Sequence, residues 1–228
     1  MSGCEMKIIA RIKSEFPEKF GIPRQSGLVS SLKAQIIFEE EYRNLDAVRG
    51  LDEFSHLWII WQFSKAVRDT WSPTVRPPRL GGNKRIGVFA TRSPFRPNAI
   101  GLSSVKIEKI DLDGENAPVI HVSGADLMDG TPIFDIKPYL AYTDAHPDAA
   151  GGVTENVADR RLKVEFDGEL INSVPDEIKT ALCDLLAEDP RPSYQNDSKR
   201  VYGLSFSGYE IGFTVDKKTL KVIKLEKS

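Results

Sequence analysis

Alternation of apolar and polar side chains, in many short β-rich runs, dominates the first 145 residues of this 228-residue chain. Such period-two patterns are typical of half-buried strands, and they predict strands at residues 6–12, 35–38, 85–90, 100–107, 119–122 and 133–139. Residues 39–48 predict an acidic helical turn or short helix, and helix is otherwise nearly absent. Many short strands joined by turns rich in glycine and proline predict a barrel or a sandwich.

The run HLWIIWQF at residues 56–63 is the strongest strand prediction in the chain. It is rich in aromatic and β-branched residues and is continuously apolar, so we expect a central strand that is covered on both faces. Trp58 and Trp61 are accordingly expected in the core rather than as stacking platforms.

The last third of the chain has a different pattern. A strand is predicted at residues 161–166, a helix begins after Pro175 with apolar residues on one face, and strands follow at 202–206, 211–215 and 220–225. The run AHPDAAGG at 145–152 has the composition of a linker. The predicted fold class is therefore mainly β, with a β-rich N-terminal domain at residues 1–145, a linker at 146–158 and a small α+β C-terminal domain at 159–228.

Composition excludes several classes of protein. No apolar run approaches the ~20 residues of a membrane helix. The N-terminal segment lacks the apolar core of a signal peptide, so a cytoplasmic location is expected. Two cysteines and three histidines are scattered singly, so neither a disulfide framework nor a metal site is expected. The chain also lacks a dinucleotide-binding glycine motif, a P-loop and a GxSxG motif.

Positive charge is concentrated in residues 70–107, which hold seven lysines and arginines and no carboxylate. This window carries +7 and the whole chain −2, so the rest of the chain carries −9. A segregated positive field attracts polyanions even when the whole protein is acidic. Prolines and a Gly-Gly pair place several of these cations on loops with restricted backbones. The window predicts either a polyanion-binding surface or a solvated basic loop without a partner.

The loop PRQSG at residues 23–27 combines a restricted backbone with Arg24 and Gln25, two side chains that donate hydrogen bonds. It predicts either a loop that holds a small ligand or an ordinary surface turn.

Alternation in the last predicted strand of the first domain places Asp135, Lys137 and Tyr139 on one face, opposite Phe134 and Ile136. Three functional side chains on one strand face are candidates for a catalytic surface. A solvent-facing ion pair beside a tyrosine is the alternative interpretation.

Several long motifs occur in one order along the chain: FGIPRQSGLV at residues 20–29, LDEFSHLW at 51–58, RPPRLGG at 76–82, GVFATRSPFRPN at 87–98 and DLMDGTP at 126–132. Together they resemble the TsaA-like family, and DPRPSY at 189–194 is similar to the C-terminal domain of its bacterial members. The resemblance implies a β-barrel N-terminal domain, a homodimer and an enzyme that uses S-adenosylmethionine. The implied reaction is N6-methylation of N6-threonylcarbamoyladenosine at position 37 of tRNA, beside the anticodon.

The resemblance also implies a set of residues around the methyl donor: Pro23, Arg24, Gln25, Ser64, Lys65, Arg92, Leu102, Asp126, Leu127, Met128 and Asp129. Many relatives are expected to carry histidine at the position of Ser64, so the contact expected there is through the backbone. The donor's sulfonium is cationic, so Asp126 and Asp129, or the carbonyls of their turn, are expected to face it. Arg24 and Arg92 suit the donor's carboxylate or ribose.

The cations expected to contact tRNA phosphates are Arg76, Arg79, Lys84, Arg85 and Arg96. Phe95 is the candidate for stacking on a splayed base. The substrate's ureido nitrogen is a weak nucleophile because its lone pair is delocalised into a carbonyl, so loss of its proton helps the transfer. Asp135, or Tyr139 held near Lys137, is the candidate for that step. Two alternatives stay open: a non-catalytic RNA-binding barrel and a methyltransferase that acts on a small molecule.

Overall fold

The computed structural model describes residues 5–77, 85–152, 154, 161–191, 195 and 197–228. The first half contains the strands β1 (Ala10–Ser14), β2 (Lys33–Phe38), β3 (His56–Gln62), β4 (Thr74–Val75), β5 (Ile86–Gly87), β6 (Ile100–Asp111), β7 (Val119–Ser123) and β8 (Pro132–Pro138). Six of them close into an antiparallel barrel in the order β1-β2-β7-β6-β3-β8. The predicted β-barrel is confirmed.

Helix is scarce in this half, as the sequence predicts. The described part of this half contains one short α-helix, α1 (Ala141–Asp144), and several 3-10 turns. Two of these turns, Glu40–Tyr42 and Leu45–Val48, occupy the segment in which an acidic helical turn was expected. A further one is Leu51–Glu53, and the C-terminal half contains another at Leu170–Ser173.

Side chains of β3 alternate between the barrel interior and its outer surface. Leu57, Ile59 and Trp61 are buried in the barrel core, which confirms the prediction for Trp61. Trp58 is only half-buried on the outer face, so the prediction that it belongs to the core is wrong. A closed barrel has one interior, and only alternate residues of a strand can reach it.

A β-bulge in β8 changes the alternation that the sequence predicts there. The pairing with β3 shifts between Ile133 and Asp135, so Phe134 has no partner of its own. Ile133 therefore joins Ile136 on the inner side, and Ile133 is fully buried. The predicted pairing of Phe134 with Ile136 on one face is wrong for this reason.

A two-stranded hairpin of β4 and β5 lies outside the barrel, and its Thr74 pairs with Gly87. The strand predicted at residues 85–90 is only Ile86–Gly87, because the chain turns into a 3-10 turn at Val88–Ala90. The side chain of Thr91 closes this turn by donating to the Val88 carbonyl at 2.8 Å.

The C-terminal half contains β9 (Lys163–Phe166), α2 (Asp176–Ala187), β10 (Tyr202–Phe206), β11 (Tyr209–Asp216) and β12 (Thr219–Lys227). The strands form one sheet in the order β10-β11-β12-β9, with β9 parallel to β12. The apolar face of α2 predicted from its spacing is buried against this sheet, including Leu182, Leu185 and Leu186. The predicted small α+β fold of this half is confirmed.

Two separate clusters of buried side chains form the cores of the molecule. One fills the barrel, and the other lies between α2 and the C-terminal sheet. The second cluster also includes Phe16, Val29 and Leu32 from the long loop between β1 and β2. That loop is therefore held by both halves of the molecule. No helix in the described part of the chain is long and apolar enough to cross a membrane.

Candidate active site

Loops at one end of the barrel line an open cavity of about 610 Å³. Its walls come from the loop between β1 and β2, the end of β3 and the segment after it, residues 91–96, the start of β6 and the turn before β8. The lining residues are Lys19, Ile22, Pro23, Arg24, Gln25, Trp58, Trp61, Gln62, Phe63, Ser64, Lys65, Ala66, Thr91, Arg92, Pro94, Arg96, Ile100, Gly101, Leu102, Asp126, Met128 and Thr131.

The wall formed by residues 21–27 is fixed on one side to the C-terminal domain. Gly21 has a φ of +90°, and a Cβ there would lie 2.1 Å from Leu204 Cδ1, so a glycine is needed both for the turn and for the close approach. The Arg24 guanidinium donates to the carbonyl of Arg191 at 2.9 Å. The Arg191 side chain in turn donates to Asp189 at 2.8 Å.

The same wall is fixed on its other side to the barrel. The hydroxyl of Ser26 accepts a hydrogen bond from the backbone N–H of Ser104 in β6 at 3.1 Å. The backbone N–H of Gly27 donates to the Gly124 carbonyl at 2.9 Å. Pro23 lies between the contact of Gly21 with the C-terminal domain and the bond of Ser26 to the barrel, and it lines the cavity.

A hydrogen-bonded chain leads from the barrel core to the cavity. The Trp61 indole N–H donates to the Ser103 hydroxyl at 2.9 Å, and that hydroxyl donates to Asp126 Oδ1 at 2.6 Å. Burial raises the pKa of the Asp126 carboxyl, while the Ser103 hydrogen bond and the positive charge of Arg92 act in the opposite direction. Asp126 is the single carboxylate among the lining residues that the structure describes.

Arginines hold the opposite wall in place. Arg92 donates through its guanidinium to the side-chain oxygen of Gln25, which joins residues 91–96 to the loop between β1 and β2. Arg96 donates to the carbonyls of Thr91 at 2.9 Å and Ser93 at 3.3 Å, so it shapes its own loop. The cavity therefore combines one carboxylate with several guanidinium groups within a largely apolar surface.

Nine of the eleven residues that the sequence predicts around the methyl donor line this cavity: Pro23, Arg24, Gln25, Ser64, Lys65, Arg92, Leu102, Asp126 and Met128. The other two do not line it. Leu127 is 1% exposed within the barrel core. Asp129 Oδ1 accepts from the backbone N–H of Ser14 at 2.9 Å, which ties the turn to the end of β1. The structure therefore gives Asp129 a partner other than the predicted sulfonium.

The three predicted catalytic residues lie on the outer face of the barrel and outside the lining of the cavity. Lys137 Nζ is 3.0 Å from Asp135 Oδ2, in an ion pair that is partly exposed. The Tyr139 ring packs 5.5 Å from that of Trp58, between ring centroids, and Trp58 does line the cavity. Tyr139 is therefore one side chain away from the cavity.

Two of the residues predicted to contact tRNA phosphates belong to the β4–β5 hairpin. Arg76 and Arg85 are exposed there, whereas Arg79 and Lys84 lie outside the described residues. The Phe95 ring is half-buried, and the guanidinium carbon of Arg68 lies 3.7 Å from its centroid, so one face of this predicted stacking residue is covered.

Sequence reasoning missed part of the site. Trp58, Thr91 and Lys19 line the cavity but were not predicted as site residues, although Trp58 and Thr91 lie within quoted motifs. Two exposed aromatic residues of the basic window, Trp71 and Phe89, were also missed, although an aromatic residue within a run of cations is a usable signal. No group of side chains in the described ranges is arranged to hold a metal ion.

Two family models match the chain: the tRNA-methyltransferase O N-terminal domain over residues 11–145 and the TrmO C-terminal domain over residues 159–228. A tRNA (adenine(37)-N6)-methyltransferase of Escherichia coli is 37% identical over 234 residues, covering 99% of each chain. A putative S-adenosylmethionine-dependent methyltransferase RcsF of Pseudomonas aeruginosa is 40% identical and covers 86% of each chain. The crystal structure of TrmO from Pseudomonas aeruginosa matches with a TM-score of 0.76 at 30% identity, covering 99% of this chain and 100% of that one.

Proposed function

The chain belongs to the tRNA-methyltransferase O family, and we propose that it transfers the methyl group of S-adenosylmethionine to N6 of N6-threonylcarbamoyladenosine at position 37 of tRNA. The observation that carries the proposal is one cavity that gathers nine of the eleven predicted donor residues. It does so in a chain similar over its whole length to a tRNA (adenine(37)-N6)-methyltransferase.

The cavity suits S-adenosylmethionine in size and in chemistry. A volume of about 610 Å³ falls within the range of small-molecule sites. Arg24 and Arg92 are suited to the carboxylate or ribose of the donor, and the apolar side chains of Leu102 and Met128 to its adenine. When bound, S-adenosylmethionine supplies an electrophilic methyl group on a cationic sulfur. The protein binds and orients the reactants and excludes water.

Asp126 is the residue that we assign to the positive charge of the donor. Its carboxyl is held toward Ser103 at the end of the hydrogen-bonded chain, and burial disfavours its ionised form. A nearby cation favours the ionised form, so a cationic ligand and the Asp126 carboxylate stabilise each other. S-adenosylhomocysteine has a neutral sulfur and lacks this interaction.

We assign removal of the N6 proton to residues on the outer face of the barrel. Asp135 is held in an ion pair with Lys137 and does not line the cavity. Tyr139 is adjacent to Trp58 at the edge of the cavity. We therefore favour Tyr139 for contact with the substrate nitrogen and place the Asp135–Lys137 pair behind it.

Single-turnover methyl transfer by Tyr139→Phe and Asp135→Asn across pH tests this assignment. We expect the Tyr139 variant to lose the larger part of its rate, in line with the ~100-fold or greater contribution of general acid–base groups. The affinity for S-adenosylmethionine should not change. Wild-type rates in both variants, with cofactor affinity intact, would remove both residues from the proton-transfer step.

The reaction itself is tested by mass spectrometry of tRNA nucleosides. Purified protein and S-adenosylmethionine are incubated with tRNA that carries threonylcarbamoyladenosine and, as the matched control, with the same tRNA lacking the threonylcarbamoyl group. We expect one added methyl group on threonylcarbamoyladenosine and none on the control. Absence of that product, or equal methylation of both tRNAs, contradicts the proposal. Nucleosides from cells that lack the protein provide the corresponding test in vivo.

The two alternative functions make different predictions. A non-catalytic RNA-binding barrel does not bind S-adenosylmethionine even at millimolar concentration. A small-molecule methyltransferase binds tRNA weakly, and the logarithm of its affinity falls with the logarithm of salt by far less than about 0.7 per neutralised phosphate. The anticodon loop as the bound part of tRNA, a homodimeric state and a cytoplasmic location belong to the same proposal.

A further inference from the structure

Two aromatic side chains of the basic window stack on each other at the protein surface. The ring centroids of Trp71 and Phe89 are 6.0 Å apart, and the planes are inclined by 25°. Trp71 is 50% exposed and Phe89 is 70% exposed. Exposed apolar area of this kind in a folded protein commonly marks a binding surface.

The pair is held by the β4–β5 hairpin, which it flanks in the sequence. Thr74 pairs with Gly87, and the backbone N–H of Val88 donates to the Pro73 carbonyl at 2.9 Å. The Ser72 hydroxyl donates to the Thr74 carbonyl at 2.7 Å. These bonds fix the backbone next to both rings, so the two aromatic planes are positioned before any ligand arrives.

One guanidinium lies near the pair, and two more belong to the same hairpin. The guanidinium carbon of Arg96 lies 5.9 Å from the Phe89 centroid, and Arg76 and Arg85 are exposed on the hairpin. The sequence contains no carboxylate between residues 70 and 107. The nearest one before this window is Asp69. An aromatic surface within a field of cations matches the chemistry of a single-stranded nucleic acid, which offers flat bases and phosphates together.

We propose that Trp71 and Phe89 form a stacking platform for an unpaired base of the bound tRNA, with Arg76 and Arg85 beside it for the backbone phosphates. The inference rests on the proposed function and adds a base-binding site to it. The platform takes the role that the sequence suggested for Phe95, one face of which is covered by Arg68.

A second copy of the chain is a less suitable occupant of this surface. A two-fold contact centred on the aromatic pair would bring each arginine-rich hairpin against its own equivalent. Like charges brought together in this way oppose association. RNA supplies the opposite charge and the stacking partner at once.

Measurement of tRNA affinity tests the platform. The variants are Trp71→Ala, Phe89→Ala and the double variant, and binding is followed by fluorescence anisotropy of labelled tRNA. We expect each single alanine to weaken binding by about 10-fold, the order of magnitude for one base–aromatic contact. Trp71→Phe should retain most of the affinity. Leu112→Ala is the control, because Leu112 is 51% exposed beyond the far end of β6 from the cavity.

Two further measurements separate stacking from other effects. Alanine at Trp71 should leave the salt dependence of binding unchanged, whereas Arg85→Ala should reduce its slope by about 0.7 to 0.9. Quenching of indole fluorescence on tRNA addition should be larger in the wild type than in Trp71→Phe. Circular dichroism and S-adenosylmethionine affinity equal to those of the wild type show that the variants are folded.

Three results overturn the inference. One is wild-type tRNA affinity in the folded double variant. Another is indole quenching that Trp71→Phe does not diminish. The third is loss of tRNA binding only in step with dissociation of a dimer in sedimentation experiments, which assigns the aromatic pair to a subunit contact. Failure of the platform is distinguishable from failure of the proposed function, because in the first case the wild-type protein still methylates tRNA.

Discussion

The two hydrophobic cores of the molecule differ in how they end. The barrel core ends at the cavity in a polar chain, from the Trp61 indole through Ser103 to Asp126. The C-terminal core continues past its own domain into the loop between β1 and β2, where it includes Phe16 and Val29. One core therefore supplies the floor of the cavity, and the other supports one of its walls.

This difference shows that the wall at residues 21–27 depends on both cores. Ser26 ties it to the barrel, and Arg24 and Gly21 tie it to the C-terminal domain. A change in either core is therefore expected to reach the cavity, but through a different contact in each case. Four substitutions, each with a control variant, test this comparison in order of decreasing expected effect.

The largest effect is expected for Gly101→Ala on the barrel side. A Cβ at Gly101 would lie 2.2 Å from the Trp61 ring, which is buried and cannot move aside without disturbing the bond to Ser103. Overpacking should lower the free energy of unfolding by about 3 kcal/mol. Affinity for S-adenosylmethionine should fall as well, and chemical denaturation and calorimetry measure the two effects.

Gly203→Ala is the matched control for that prediction. Gly203 is also a strand glycine, but a Cβ there meets nothing within 4 Å. We expect its free energy of unfolding to stay within about 0.5 kcal/mol of the wild-type value. Equal losses in the two variants would contradict the role given to the Trp61 contact.

The next effect is expected for Gly21→Ala on the C-terminal side. The substitution combines a positive φ with contact between the new methyl group and the buried side chain of Leu204. We expect a loss of about 2 kcal/mol in the free energy of unfolding, together with weaker binding of S-adenosylmethionine.

Gly50→Ala is the control that measures the stability cost of a positive φ alone, without a steric contact. Gly50 has a φ of +80° and open space around its Cβ position, so only conformational strain of about 1 kcal/mol is expected. Cofactor affinity should be unchanged in this variant. If Gly21→Ala binds S-adenosylmethionine as the wild type does, the C-terminal core does not control the wall of the cavity.

Asp126→Asn tests the polar end of the barrel core through the pH dependence of stability and of S-adenosylmethionine affinity. The folded-state pKa of Asp126 is raised, so its contribution to stability is largest below the unfolded pKa and is lost as pH rises through the folded pKa. The asparagine variant should therefore gain stability relative to wild type as pH rises from the unfolded pKa of about 4 through the raised folded pKa of Asp126. Wild-type affinity for S-adenosylmethionine should rise over the same window, while that of the variant stays flat.

Asp144→Asn is the control, because its stability relative to wild type should change with pH in the opposite direction. Hydrogen bonds from the Leu140 backbone N–H and the Trp58 indole lower the pKa of Asp144, so its stabilising effect is lost as pH falls through the folded value. Thermal unfolding across pH should show the two variants diverging from the wild type in opposite directions. Parallel curves would show that the Asp126 carboxyl is not affected by burial.

The smallest effect is expected on the outer wall of the barrel, away from either core. The Ser123 hydroxyl donates to Glu108 at 2.6 Å and, together with Lys106 and Lys33, lowers the pKa of Glu108 to about 2. Because this carboxylate is exposed, Glu108→Gln should cost less than about 1 kcal/mol. The difference should be present above the unfolded pKa and disappear as pH falls toward about 2. Glu115→Gln, an exposed change in the next turn, is the control in urea titrations.

Much of the fold could be predicted from the sequence because strand periodicity is local. The runs that became β2, β7 and β10 were predicted within a few residues of their ends. The bulge in β8 was not predicted, because it depends on how Phe134 meets the neighbouring strand rather than on its own neighbours in the chain.

The candidate site was predicted through motifs, and the wrong predictions about single residues have a common origin. Asp126 and Met128 line the cavity, whereas Leu127 and Asp129 do not. Successive side chains in such a turn point in different directions, so a motif identifies the turn but not which of its members face a ligand. The pair of Trp71 and Phe89 was missed because the two residues are brought together only by the β4–β5 hairpin.

The sequence by itself determined the strands, the helix of the C-terminal domain, the segregated positive charge and the motifs of the family. These follow from backbone geometry and from the chemistry of neighbouring residues. Only the tertiary structure decided that the loop between β1 and β2 is shared by two cores and that Asp126 is desolvated beside Arg92. Burial and contacts between residues distant in the chain exist only after packing, so no local pattern encodes them.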